Sequence, residues 1–280
     1  MQLTQAQVKG RIKNIAKENN ADARIILRIY MMERFLERVA NSKYKDVFII
    51  KGGILVTSMV GVSMRSTMDI DTSIRNFNLS ESEILPLIKE ICDIDLDDGA
   101  TFTIEEVSSI MDEMEYPGIR FSMTGYIGEM VIPIKIDVST GDIITPHAIE
   151  YNYSLLLENR SIKLWAYNLE TILSEKLQTI LSRGTLNTRM RDFYDIYTLM
   201  VSFKDRIEDN VLKQAFEATC KKRMTYDILA KGTQILESVA ISENLNLLWL
   251  IYKRKFEYAA ELDYENVILM IRELLERIMR

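Results

Sequence analysis

The stretch from Lys51 to Asp71, KGGILVTSMVGVSMRSTMDID, holds the residue types best suited to chemistry in this chain. Asp69 and Asp71 are one residue apart. In a strand, side chains alternate between faces, so Asp69, Asp71 and Ser73 share one face while Met68, Ile70 and Ile74 share the other. Two carboxylates on one face repel unless a cation lies between them. The usual occupant is a hard divalent cation with oxygen ligands, and Mg²⁺ suits such a pair best when it also carries substrate phosphates. An edge strand with a solvated acidic face would show the same pattern. Upstream, Gly52 and Gly53 follow the strand-like run Val47-Phe48-Ile49-Ile50 and precede Ile54-Leu55-Val56-Thr57, a helix start. Glycines at a strand-to-helix junction let the backbone approach a ligand, and the helix N-terminus offers N–H groups to an anion. A tight turn would use the same glycines. In combination, a phosphate site beside a metal-binding carboxylate pair is the skeleton of a nucleotidyl-transfer centre.

The elements that must position these residues follow from periodicity. Residues 4–42 read as helical, with Ile25, Ile29, Met32, Leu36 and Val39 on one stripe expected to pack on the sheet that follows. Strands are predicted at 47–50 and 68–74, and a helix at 81–92 with Ser80 as N-cap. Further β-like runs cover 101–107, 118–126, 130–138 and 161–166. Asp95-Leu96-Asp97-Asp98 lacks the ligand spacing of a calcium loop and reads as a turn. In the run 131–138, Ile132, Ile134, Ile136 and Val138 take one face and Lys135 and Asp137 the other. If this strand lies beside 68–74 with polar faces aligned, Asp137 is a third carboxylate near the pair; an ordinary half-exposed strand is the alternative. Beyond Tyr167 the pattern is helical. Lys176 interrupts the apolar stripe Leu169, Leu173, Ile180, and Asp192 and Asp195 lie on nearly one side of the next helix. An inward lysine and aspartate must pair or face a polar cleft. A Lys176–Asp192 salt bridge and a cationic phosphate ligand held by a carboxylate both satisfy that.

Composition excludes several classes. The 280 residues are 48% hydrophobic and 27% charged, ordinary for a globular protein with one large or two small cores. No apolar run is long enough to span a membrane, and the first residues lack a signal-peptide core. Cys92 and Cys220 are isolated and His147 is the sole histidine, which argues against a zinc site, a disulfide framework or a Ser–His or Cys–His triad and suits a reducing cytoplasm. The net charge of −6 is not that of a generic nucleic-acid binder. Local cations still cluster at Arg183, Arg189 and Arg191, which can steer a polyanion. The runs 221–223 and 253–255 read as wet helix faces.

Four segments, in this order, resemble the AbiEii/AbiGii family of nucleotidyltransferase-like toxins, the toxin halves of bacterial type IV, abortive-infection toxin–antitoxin pairs. They are KGG at 51–53 with RSTMDID at 65–71, KIDV at 135–138, ETILSEKL at 170–177 and RMRDFYDIY at 189–197. The resemblance runs from about residue 45 to 200. It implies an α+β fold, a DNA polymerase β-type mixed sheet with helices followed by a helical C-terminal domain, divided here as 1–166 and 167–280. It also implies an NTP substrate, Mg²⁺, and a cognate antitoxin that doubles as a transcriptional repressor. The implied activity is transfer of NMP to RNA, in particular the 3′ end of tRNA, which stops translation and serves phage defence. Carried onto this chain, Lys51, Gly52, Gly53, Arg65 and Thr67 surround the triphosphate, and Asp69 and Asp71 hold the metal. Lys176 contacts phosphate, Asp192 and Asp195 orient it or the base, Asp137 is the third carboxylate and general base, and Arg183, Arg189 and Arg191 meet RNA. Some relatives can be phosphorylated near the first aspartate, so Thr67 or Ser66 is an expected silencing point, where a phosphate would add about two negative charges.

Three other readings remain open on the sequence. A same-fold transferase for a small molecule would need an enclosed acceptor pocket in place of an open basic groove. An NTP- or GTP-binding protein without turnover would not need metal ligands. A metal-dependent nuclease would not need the Gly-Gly turn.

Overall fold

The computed structural model describes residues 3–110 and 117–280. Two compact units divide the chain: Met1–Asp142 with Ile149–Ala166, and Ile143–Ala148 with Tyr167–Arg280.

The first unit opens with helices α1 (Gln5–Glu18) and α2 (Ala23–Asn41). The continuous helical reading of 4–42 is corrected here. Asn20 takes a left-handed φ of +48°, and Asp22 restarts the chain as an N-cap, accepting from the Arg24 N–H at 2.8 Å. Then follow β1 (Phe48–Lys51), α3 (Gly52–Val60), β2 (Ile70–Ile74), α4 (Glu81–Cys92), β3 (Ala100–Ile110), β4 (Gly118–Ile127), β5 (Met130–Thr140), β6 (Ile149–Ser154) and β7 (Ser161–Ala166). Ser80 stands at the N-cap of α4 without a side-chain capping bond. Strand β6 had no counterpart in the sequence reading.

These strands form one mixed sheet in the order β3-β4-β5-β2-β1-β7-β6. β2 lies at its centre, antiparallel to β1 and parallel to β5. The alternation in β5 holds as far as Ile136: Ile132, Ile134 and Ile136 are buried while Pro133 and Lys135 are exposed, and from Asp137 to Ser139 both faces are buried. Each such buried aliphatic side chain contributes about 1.5–3 kcal/mol over an exposed one. Helix α2 packs against β5 and β7, as expected of its apolar stripe.

Its opposite side is also buried. Arg34 pairs with Glu37 and Glu158, both at 2.9 Å, and Arg160 closes the cluster on Glu37 and Glu158. Arg38 forks onto Asp98 with two 2.8 Å bonds, so the predicted 95–98 turn is anchored by a buried ion pair. Ions removed from water cost several kcal/mol unless paired, and this network supplies the partners.

The second unit contains α5 (Leu169–Arg183), α6 (Met190–Phe203), α7 (Asp209–Lys222), α8 (Asp227–Ala240), α9 (Glu243–Lys255) and α10 (Tyr264–Met279). α5 packs on α6, α7 and α8, and α10 on the same three. The stripe Val267, Ile271, Leu274 and Ile278 of α10 lies in this core. Asn168 caps α5, accepting from the Thr171 N–H at 2.8 Å. The fold is thus the expected α+β class, a mixed sheet with helices followed by a helical bundle. Among the described residues no helix is long and apolar enough to cross a membrane.

Candidate active site

The central strand sets the register of the first cluster. Across β1 and β2, Lys51 stands opposite Asp71; across β2 and β5, Asp71 stands opposite Asp137; across β5 and β4, Asp137 stands opposite Arg120. The sheet therefore brings the third carboxylate beside the pair. Strand β2 begins at Ile70, later than predicted, so the pleat does not orient Asp69. Thr67 does: its hydroxyl donates to Asp69 Oδ1 at 3.0 Å. Met68, expected to join Ile70 and Ile74, lies outside the strand and is exposed. Thr67 is fully buried, so phosphorylation there requires this segment to open first; Ser66 is half-buried.

The two glycines make room for this arrangement. Gly52 has φ +58°, and a Cβ on it would fall 2.0 Å from Asp71 Oδ2. Gly53 lies under the 65–67 segment, where a Cβ would come within 2.5 Å of Thr67 Oγ1 and 3.1 Å of Arg65 Nη2. The Gly53 N–H donates to Asp71 Oδ2 at 3.1 Å, so the amide end of α3 points at the carboxylate itself. A helix N-terminus favours negative charge there. Arg65 is buried and donates to the Ser66 carbonyl. The Lys51 ammonium donates to Ser139 Oγ at 2.8 Å and pairs with Asp142.

Charge on this face is incompletely balanced. Burial pushes the Asp71 carboxyl up to about 6, and Asp69 and then Asp137 add to the rise; the Gly53 amide and Lys51 oppose it. Such a rise marks carboxylates that gain from a cation. Asp69 and Asp71 offer hard oxygen donors, and among the described residues no group of three or more His, Cys, Asp or Glu is arranged to hold a metal ion. A two-carboxylate site fits Mg²⁺, which keeps waters and takes its other ligands from substrate phosphates. It does not fit a cation that needs a full protein cage.

The second unit carries its own cluster. Lys176 Nζ donates to Asp192 Oδ1 at 2.9 Å and to Asp195 Oδ2 at 2.7 Å, and Arg189 Nε lies 3.0 Å from Asp192 Oδ2. Burial works against the Lys176 charge, but Asp192 and Asp195 outweigh it and hold the ammonium above the usual lysine range. The Lys176–Asp192 pair common to both alternatives is therefore formed, with Asp195 as an added partner. Arg183 and Arg189 are exposed, and the Arg191 guanidinium lies 5.5 Å from the Phe256 ring centroid. The wet-face reading of 221–223 holds for Lys221 and Lys222 only. Arg223 turns inward and donates to Thr179 Oγ1 at 3.0 Å.

Arg120 was not singled out from the sequence. Its Nε donates to Asp137 Oδ1 and its Nη2 to Asp137 Oδ2, both at 2.8 Å. The only available signal was a polar residue inside the β-like run 118–126, which carries no register.

Among solved structures, the chain is similar to JHP933 from Helicobacter pylori, at 12% identity and a TM-score of 0.49 over 91% of both chains. It is also similar to an antigenic nucleotidyltransferase-like protein from Paracoccidioides brasiliensis, at 15% identity and a TM-score of 0.41 over 75% of this chain and 93% of the other. No curated protein matches. Residues 34–271 match the family described as nucleotidyl transferase AbiEii toxin, Type IV TA system. That match takes in both units, with the Gly-Gly turn, the carboxylate face and the Lys176 cluster all inside it: the chain belongs to the AbiEii family of nucleotidyl transferase toxins of type IV toxin–antitoxin systems.

Proposed function

We propose that this toxin is a Mg²⁺-dependent nucleotidyltransferase that moves NMP from an NTP to RNA, with the 3′ end of tRNA as acceptor, and so blocks translation. The observation that carries this reading is the approach of Asp71 to the amide end of α3, made possible by the missing Cβ of Gly52, with Asp69 set beside it by Thr67. Asp69 and Asp71 would hold the cation. When bound, Mg²⁺ would lower charge repulsion on the triphosphate. The RNA hydroxyl would attack the α-phosphorus as the α–β phosphoanhydride bond breaks, with pyrophosphate leaving and the hydroxyl proton passing to solvent. Gly52 and Gly53 keep the backbone low enough for Asp71, Thr67 and Arg65 to pack over the start of α3. In the second unit, Lys176 is the cation assigned to phosphate, positioned by Asp192 and Asp195, and Arg183, Arg189 and Arg191 are assigned to the RNA backbone. A cytoplasmic location and a cognate antitoxin that represses transcription complete the reading.

The test is inducible expression in a bacterial host. Wild-type protein should arrest growth, and Asp69→Ala at equal steady-state level should not. A toxic, well-folded Asp69→Ala protein would defeat the assignment. Loss of transfer with retained NTP binding and retained toxicity would favour a nucleotide-binding toxin without turnover.

A further inference from the structure

We propose that Arg120 is a phosphate-contacting residue of the carboxylate site and that Asp137 is its anchor. This rests on the nucleotidyl-transfer reading above and adds to it a residue and a role. The placement comes from the sheet. Asp71, Asp137 and Arg120 occupy successive register positions on β2, β5 and β4. With neighbouring strands 4.7–4.9 Å apart, the Arg120 Cα lies about 10 Å from that of Asp71. A triphosphate held at Asp69 and Asp71 is then within reach of a long side chain on the same face.

The clamp gives Asp137 the role of an anchor for Arg120. Both of its oxygens accept from Arg120, one from Nε and one from Nη2, each at 2.8 Å. This is the fork-to-fork geometry that fixes a guanidinium in direction as well as position. A proton acceptor must offer an oxygen to the attacking hydroxyl, and a metal ligand must offer one to the cation. Here a guanidinium N–H takes one lone-pair position on each oxygen, which ties both to Arg120. Exposure is asymmetric too: 4% for the Asp137 side chain and 23% for Arg120. The guanidinium is thus the more solvent-accessible member of the pair. Lys51, another cation of this face, is turned to Asp142 and Ser139, in surroundings where the Asp142 side chain is fully buried. Arginine is the residue suited to planar contact with phosphate, and one whose fork is fixed beforehand loses little freedom on binding.

The experiment uses the full chain with Mg²⁺ and α,β-methylene NTPs, which bind without being cleaved, in isothermal titrations. Arg120→Gln should weaken binding about 10- to 100-fold, and Asp137→Asn, which frees the guanidinium, should weaken it in the same direction. The double variant Arg120→Gln/Asp137→Asn should be no worse than the poorer single variant, because both act through one contact. This pair also removes both charges together and guards against an uncompensated buried carboxylate. Arg120→Lys should recover part of the affinity. Unchanged affinity in Arg120→Gln, with Mn²⁺ binding lost in Asp137→Asn, would overturn the proposal and return Asp137 to the metal. A lower unfolding midpoint in both variants with unchanged NTP affinity would reduce the pair to a structural one and equally overturn it. If the wild type binds none of the nucleotides, the nucleotidyl-transfer reading itself fails.

Discussion

Gly52→Ala isolates the contact on which the site depends. Gly52 sits at φ +58°, where an L side chain costs about 1–2 kcal/mol. The new methyl would also lie 2.0 Å from Asp71 Oδ2, 2.6 Å from Cγ and 2.7 Å from Cβ, so the Asp71 side chain must leave its position. Leaving breaks the 3.1 Å bond from the Gly53 N–H, a charge-assisted bond contributing about 1.5–3 kcal/mol. The two effects together come to about 2.5–5 kcal/mol. Asp71→Gly separates them, because in that background the methyl meets no Asp71 side chain and only the backbone cost of about 1–2 kcal/mol remains. The assay is amide exchange of β1 and β2 across a urea series, which reads the stability of the first unit alone. A cost for Gly52→Ala below about 1 kcal/mol, equal with and without the Asp71 side chain, would refute the reasoning.

Three further outcomes follow from the buried charges. Asp71, held up to about 6, binds its proton more tightly folded than unfolded. Its contribution to stability is full below the usual aspartate range and is lost as pH rises towards 6, while divalent-cation affinity rises over the same window because the ligand must be ionised. Asp71→Asn should flatten both profiles, read by urea titration and Mn²⁺ binding between pH 4 and 8. Glu33 accepts from the Leu156 N–H on both oxygens, and burial raises its carboxyl to about 8. Stability should therefore fall as pH climbs from the ordinary glutamate range through 8, and Glu33→Gln should abolish that slope in denaturation curves. Lys176→Ala would leave Asp192 and Asp195 buried without their ammonium, so it should cost about 3–5 kcal/mol, and Asp192→Asn with Asp195→Asn should restore most of it. Lys176→Ala is thus a poor test of catalysis on its own.

What the sequence made legible is what local patterns encode. The strand-to-helix glycines and the Asp-x-Asp pair carry their meaning in spacing, and the alternation of β5 placed Asp137 on the polar face. The charged side of α2 was not legible. Glu33, Arg34, Glu37 and Arg38 lie off the apolar stripe and carry no local mark of burial, yet they are buried among Glu158, Arg160, Asp98 and the Leu156 amide, partners 60 to 124 residues away in the chain. Arg120 was hidden for the same reason, since only the antiparallel register of β4 on β5 sets it opposite Asp137. The α1–α2 break was readable in principle from Asn20 and the capping Asp22, while the stripe from Ile25 to Val39 lies wholly beyond it and carries no sign of the break. Strand β6 was missed because its burial pattern, mostly exposed around Tyr153, is that of a sheet edge.

The central claim is transfer of a nucleotide to RNA by the Asp69–Asp71 face. Purified protein is incubated with total cellular RNA, Mg²⁺ and each α-³²P-labelled NTP in turn, beside Asp69→Ala. The account predicts label in tRNA-sized RNA with a preferred nucleotide, and none with the variant. Label of equal strength from Asp69→Ala, or no label from any nucleotide despite measurable NTP binding, would contradict it.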